Sequence, residues 1–379
     1  MTNVWIPCAE RGERRVAATP ETVRRMTEAD IHVRVDAGAG AQAHFTDDDY
    51  REAGAEIGSR PPDGGSADLV LTVNGLPKEK LSEIGRGAVL IGFLDPLRDA
   101  ERARALAGAG ISALAMELIP RITRAQPMDA LSSQASLAGY KATVLAAARL
   151  DRYFPLLMTA AGTIPPSRVV VMGAGVAGLQ AIATAKRLGA VVEVSDIRPA
   201  VQEQVESLGG RFIELPMVES GEGEGGYAKA MGEDFLRRQR EIVTTHVAEA
   251  DVVITTALVP GRQAPVLLTC EMVERMRPGA VVVDLAVSQG GNCELARADE
   301  EIEHEGVLII GATNLARDTP HDASVLFARN VYSLAELVLQ DGAVQLDLDD
   351  EIVAAALLTH EGVVRHGPAA ESKEEGVQS

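Results

Sequence analysis

Short β-branched runs recur along the chain at intervals that each leave room for one helix, and this alternation limits the fold more than any other feature. Before residue 120 the runs are Val4–Ile6, His32–Val35, Asp68–Val73, Ala88–Phe93 and Ser112–Glu117. A second series follows at Arg168–Met172, Val191–Ser195, Asp251–Thr256, Ala280–Ala286 and Val307–Gly311, with helix-length intervals such as Leu179–Leu188 and Tyr227–Glu249 between them. Strands that alternate with helical spacing predict a parallel sheet with crossover helices. Two such series predict an α/β chain of two Rossmann-like, doubly wound parallel-sheet domains, and 379 residues suffice for both at roughly 150 residues per domain.

Leu131–Leu150 and Ala323–Gln340 read as long helices that join the domains. Strand-like Val344–Leu348 and Ile352–Ala356 follow the second helix, so the tail is expected to return to the first domain and make it discontinuous. The expected division is 1–133 plus 325–379 for the first domain and 134–324 for the second. Ser59–Ser66 and Ser220–Gly226, rich in Gly, Pro and Ser, read as loops, and the polar residues after Gly367 are expected to fray.

Thirty-six Lys and Arg against 55 Asp and Glu leave a net charge of −19, which repels phosphate backbones and argues against nucleic acid as a partner. With 46% hydrophobic and only 3% aromatic residues, the core must be aliphatic. Cys8, Cys270 and Cys293 are too few and too scattered for a disulfide framework, which fits a reducing compartment. The N-terminus shows no apolar export segment, and Ala135–Leu150, interrupted by Tyr140, Lys141 and Arg149, falls short of the roughly 18 apolar residues of a membrane span. A soluble chain is expected.

Gly173-Ala174-Gly175-Val176-Ala177-Gly178 lies between the run Arg168–Met172 and an amphipathic helix that stops at Gly189. In that context the first glycine permits a tight turn, the second lets backbone approach a pyrophosphate, and the third lets helix and strand pack closely. The bare pattern is weak, but Asp196 stands 23 positions after Gly173 at the end of the next strand, where an acid accepts ribose hydroxyl bonds and repels a 2′-phosphate. Dinucleotide binding is expected, NAD(H) in preference to NADP(H), with Arg198 leaving the exclusion of a 2′-phosphate incomplete. The alternative is a glycine-rich turn with a capping aspartate.

After its first run the N-terminal domain reads Pro7-Cys8-Ala9-Glu10-Arg11-Gly12-Glu13-Arg14-Arg15, so it resembles a nucleotide-free Rossmann unit in which Arg14 or Arg15 either clamps an anion or is solvated. Pro120–Gln134 is the densest polar stretch between the domains and falls where a cleft is expected. There Arg121 and Asp129 could pair, and Gln126 offers the donor and acceptor that a nicotinamide carboxamide requires; otherwise the stretch is a connector in which Asp129 caps the next helix. His32, His44, His246, His304, His321, His360 and His366 show no metal-ligand spacing, so no metal is expected. No GxSxG elbow or activated cysteine context is present in the sequence.

The stretches Met116–Lys141, Met158–Pro166, Gly173–Arg187, Gly226–Lys229 and Thr255–Gly261 closely resemble the NAD(H)-binding domain of proton-translocating nicotinamide nucleotide transhydrogenases, and the likeness extends over nearly the whole chain. The resemblance implies a homodimer of two-domain protomers that docks on an NADP(H)-binding domain and on a membrane domain that moves the proton. It places Arg121, Gln126, Asp129 and Ser132 at the nicotinamides. It places Gly173, Gly175, Val176, Gly178, Asp196 and Ile197 at the bound NAD(H), with Thr256, Ala257 and Leu258 beside them. Tyr227 matches the tyrosine of a mobile loop that closes over nucleotide. Attachment through partners at the cytoplasmic face of the inner membrane is implied.

Alanine dehydrogenases share this architecture and are the competing resemblance. Their substrate arginine is matched by Arg15, but the lysine and histidine that end their third and fourth strands are replaced by Asn74 and Asp95. Reduction of an imino or keto acid moves a proton with the hydride and requires a general acid, whereas transfer between two nicotinamide rings moves none. Positioned rings in a dry site then suffice. A non-catalytic NAD-sensing module is the third possibility.

Overall fold

The computed structural model describes residues 2–59, 67–214, 233–259 and 261–371. The expected loop Ser220–Gly226, Tyr227 and residues 60–66 of the first expected loop lie outside the described residues. The chain forms two compact units, Met1–Gln134 with Arg317–Ser379, and Ala135–Ala316.

In the first unit six strands run in parallel: β1 (Asn3–Ile6), β2 (His32–Asp36), β3 (Glu56–Gly58), β4 (Leu69–Leu71), β5 (Val89–Gly92) and β6 (Ser112–Ala115). Their order is β3-β2-β1-β4-β5-β6, with α1 (Pro20–Glu28), α2 (Asp47–Glu52) and α3 (Ala100–Ala109) among the crossovers. Both faces are covered. Val4 and Ile6 enter one apolar cluster and Trp5 the other, as the two-residue period of a strand requires.

The boundary between the units falls inside α4 (Ala130–Arg149), after Gln134. The second unit opens with a hairpin of β7 (Leu157–Thr159) and β8 (Gly162–Ile164). Then come β9 (Arg168–Met172), α5 (Val176–Arg187), β10 (Val191–Ser195), α6 (Gln202–Ser207), β11 (Arg211–Phe212), α7 (Glu233–Ala248) and β12 (Val252–Thr255). The unit closes with α8 (Cys270–Glu274), β13 (Val281–Asp284), β14 (Glu301–His304) and β15 (Val307–Gly311). The sheet order is β11-β10-β9-β12-β13-β15-β14, parallel except for β14, which runs antiparallel to β15 at the edge.

The chain then returns to the first unit through α9 (Pro320–Val338), a hairpin of β16 (Leu339–Gln340) and β17 (Ala343–Val344), α10 (Glu351–Ala356), β18 (Leu357–His360), β19 (Val363–Val364) and α11 (Pro368–Glu371). β18 pairs antiparallel with β6, and β19 extends it, so the tail does complete the first sheet. The strand that does so is not the expected one. Ile352–Ala356 is helical because Asp350 caps it, its carboxylate accepting from the Ile352 and Val353 amides at 2.8 and 3.3 Å, and because Ala354, Ala355 and Ala356 favour helix. Of Val344–Leu348, only Val344 lies in a strand, within the small hairpin.

Candidate functional site

β9 is the pivot of the second sheet: the chain leaves it to β10 on one side and later takes up β12 on the other. In open sheets of this topology the carboxyl ends of the two strands at such a reversal frame a ligand crevice. The loops that emerge there are 173–175, which leads into α5, and 256–258.

Gly173 has φ +100°, and a Cβ on it would stand 2.8 Å from Thr256 Oγ1, so both the turn and its neighbour demand glycine. A Cβ on Gly178 would lie 1.9 Å from the Gly173 carbonyl oxygen, so α5 packs against the turn only with glycine there. Gly175 differs: among the described residues nothing stands within 4 Å of its would-be Cβ. It is also the N-cap of α5, and no side chain caps the helix. Its bare backbone, the half-exposed Val176 and the first-turn amides therefore form a cradle that suits a pyrophosphate. Thr256 ties the two loops together by donating from Oγ1 to the Gly173 carbonyl at 2.9 Å. Leu258 is exposed beside them.

Asp196 follows β10 and is buried. Its Oδ2 accepts from the Ala174 amide at 2.7 Å, which fixes the acid against the glycine turn. Arg198 folds back onto the same carboxylate, donating from its amide and Nε to Oδ1 at 2.9 and 3.0 Å and from Nη2 to Oδ2 at 2.8 Å. Ile197 is half-buried between them in sequence. The capping alternative for the aspartate holds in part, since Asp196 does bind turn backbone.

Two supporting residues escaped the sequence reading. Asn292, fully buried, grips Ala257 by accepting its amide at 2.9 Å and donating to its carbonyl at 2.9 Å. Asp284 at the end of β13 holds that asparagine's loop through the Ala286, Asn292 and Cys293 amides at 2.8, 2.8 and 2.9 Å. Burial pushes the Asp284 carboxyl up from its ordinary value, against the pull of those amides. The signal was Asp284-to-Asn292 itself, an acid at a strand end and an amide after two glycines, but no spacing rule says which loop such an amide reaches.

The Arg121–Ser132 stretch belongs to the first unit. Thr123–Met128 forms a 3₁₀ turn whose Ala125 and Met128 are buried in the core while Gln126 and Arg121 are exposed. Asp129 caps α4, accepting from the Ser132 amide at 2.9 Å and from Ser132 Oγ at 2.6 Å. Asn330 of α9 donates to the Pro127 carbonyl at 2.6 Å, and Arg124 forks onto Asp350 at 2.7 and 3.0 Å, so the turn is fastened on both flanks of Gln126.

Arg15 is neither solvated nor open to an outside anion. It is 3% exposed and donates from Nε and Nη2 to the Glu13 carboxylate at 2.8 and 2.7 Å and from Nη1 to Gln134 at 2.8 Å. Asn74 donates to the same Glu13 at 2.9 Å, and this set of donors holds the Glu13 carboxyl below its ordinary value in spite of burial. Asp95 pairs with Arg98 at 3.0 Å near the surface, and the half-buried Arg14 lies 3.9 Å from Asp318. The fold also brings Cys270, Glu274 and His304 together, a grouping that their spacing in sequence does not reveal. No helix among the described residues is long and apolar enough to cross a membrane.

Comparison with known proteins agrees with this geometry. The chain is 47% identical to an NAD(P) transhydrogenase alpha-subunit chain of Rhodospirillum rubrum over 374 residues, covering 96% of this chain and 97% of that one. The solved transhydrogenase from Sinorhizobium meliloti superposes with a TM-score of 0.86 at 46% identity, covering 96% of this chain and 99% of that one. Alanine dehydrogenase of Bacillus subtilis is 28% identical over 365 residues, covering 94% of this chain and 90% of that one. The models for the N-terminal and C-terminal domains of alanine dehydrogenase/PNT match residues 6–138 and 142–367. With both halves matched and a glycine turn facing a buried acid at the sheet's reversal, the chain belongs to the alanine dehydrogenase/PNT family.

Proposed function

We propose that this chain is the NAD(H)-binding subunit of a proton-translocating transhydrogenase, in which hydride passes reversibly from NADH held by the second unit to NADP⁺ held by a partner subunit. The observation that carries the reading is a dinucleotide cradle combined with first-unit strand ends that offer an amide and a surface acid, Asn74 and Asp95, where keto-acid reduction needs a proton donor. High identity to the R. rubrum subunit supports it.

Bound NADH supplies the hydride. The Gly173, Gly175, Val176 and Gly178 backbone receives the pyrophosphate at the N-terminus of α5, and Thr256, Ala257 and Leu258 line the opposite loop. Asp196 accepts from the adenosine ribose and repels a 2′-phosphate, with Ile197 beside it. Gln126 orients a nicotinamide carboxamide, Arg121 adds positive charge, and Asp129 sets the Ser132 hydroxyl. None of these groups has to release or take a proton.

The subunit works as a homodimer through the β7–β8 hairpin, whose Met158 is 73% exposed with Leu156 and Ile164 also exposed. Its further partners are the NADP(H)-binding component and a membrane proton-channel subunit, which hold it at the inner face of the cytoplasmic membrane. A hydride-transfer assay decides. Purified chain with NADH, pyruvate and ammonia should be inert, and addition of the NADP(H)-binding component should start nucleotide-to-nucleotide transfer. Robust NADH oxidation without a partner would make it an amino-acid dehydrogenase, and NADH binding with no transfer in the full complex would make it a sensor.

A further inference from the structure

Cys270 and Glu274 stand one helical turn apart on α8, and β14 carries His304 to the same spot from the edge of the second sheet. The place is remote from the nucleotide cradle: β12, β13, β15 and β14 are successive neighbours, three steps or roughly 14 Å across the sheet. Cys270 Sγ lies 3.4 Å from Glu274 Oε1 and 3.7 Å from His304 Nε2, and those two atoms are 3.4 Å apart.

For the nitrogen–oxygen pair the separation exceeds a good hydrogen bond, about 2.7–3.2 Å. The separations are instead those of co-ligands. Zinc bonds of about 2.3 Å to sulfur and about 2.0–2.2 Å to nitrogen and oxygen, set at tetrahedral angles, put sulfur about 3.6 Å from either partner and those partners about 3.4 Å apart. All three observed separations agree to within about 0.2 Å. The donor set is also selective, since thiolate with imidazole suits zinc and its neighbours in the transition series and not calcium or magnesium. Thiolate and carboxylate together neutralise a divalent charge.

We propose that Cys270 Sγ, Glu274 Oε1 and His304 Nε2 form a zinc site that clamps α8 to the edge strand β14, with water in the fourth position. On binding, the Cys270 S–H proton leaves to solvent as the sulfur–metal bond forms, and neutral His304 donates its Nε2 lone pair. Glu294 supports the site by accepting the Cys270 amide at 2.7 Å. Nothing in this assignment rests on the nucleotide reading.

The full chain is titrated with Co²⁺ as a spectroscopic probe and then with Zn²⁺. The expected result is one equivalent of tetrahedral cobalt with a thiolate-to-metal charge-transfer band that zinc abolishes. Cys270→Ser should remove the band and Cys8→Ser should not. His304→Ala and Glu274→Gln should each weaken binding by more than about tenfold, since loss of even a supporting partner costs roughly 10–100-fold. Absence of the band, its survival in Cys270→Ser, or unchanged affinity in both other variants would overturn the proposal. NADH affinity, measured in parallel, should be the same in Cys270→Ser as in the parent.

Discussion

A carboxylate offers about four acceptor positions, and at Asp196 the Ala174 amide and three Arg198 donors fill them. A ribose can therefore bind there only by taking positions from the guanidinium. Asp196→Ala should weaken NADH binding by about 1–3 kcal/mol. Arg198→Ala should tighten it by a few fold, read by fluorescence titration, because the competitor is gone. A loss in Arg198→Ala as large as in Asp196→Ala would instead make the guanidinium a nucleotide contact. Gln126→Ala should leave NADH affinity nearly intact while slowing transfer to NADP⁺ in the reconstituted complex, and lost affinity with unchanged turnover would contradict its assigned role. At this scale the glycines were legible, because a positive φ or a missing Cβ is a local demand. Arg15 was not, since one of its partners, Gln134, lies 119 residues away, and no pattern near Arg15 announces it.

Among the elements, α10 shows how an apolar run can mislead. Ile352–Ala356 is too short for its periodicity to separate strand from helix, and the deciding group, Asp350, sits outside the run. β14 was missed for the opposite reason: Glu301-Ile302-Glu303-His304 alternates as a half-exposed edge strand and lacks the β-branched density of the inner strands. Asp350 also fastens the Gln126 turn through Arg124, and that bond, with the Ile352 and Val353 amides, holds its carboxyl at about 2, below the ordinary 3.8. A carboxyl lowered on folding contributes stability above its unfolded value and loses it as pH falls through the folded one. The urea midpoint should therefore fall between about pH 4 and about pH 2, and fall less in Asp350→Asn. Asp350→Ala should cost about 0.5–2 kcal/mol near neutral pH as the helix loses its cap.

At the level of the whole molecule, the alternation of strands and helices foretold both sheets, because parallel strands buried on two faces must be nearly continuous apolar runs. The β7–β8 hairpin leaves Met158 and Ile164 uncovered in the single chain, with Leu156 exposed just before it, and a net charge of −19 works against casual association, so an apolar patch there points to a specific one. Met158→Asp should shift the sedimentation coefficient from dimer to monomer with little change in urea midpoint; a dimer that persists would move the interface elsewhere.

The antiparallel seam between β6 and β18 also sets the order in which the protein can mature. During synthesis the second sheet has all its strands outside the ribosome while the first still lacks its outer pair, so the N-terminal unit must wait, with the β6 edge bare, for residues 357–364. Premature termination between Ala316 and Leu357 would thus spare the nucleotide half and leave the other half prone to edge-to-edge aggregation.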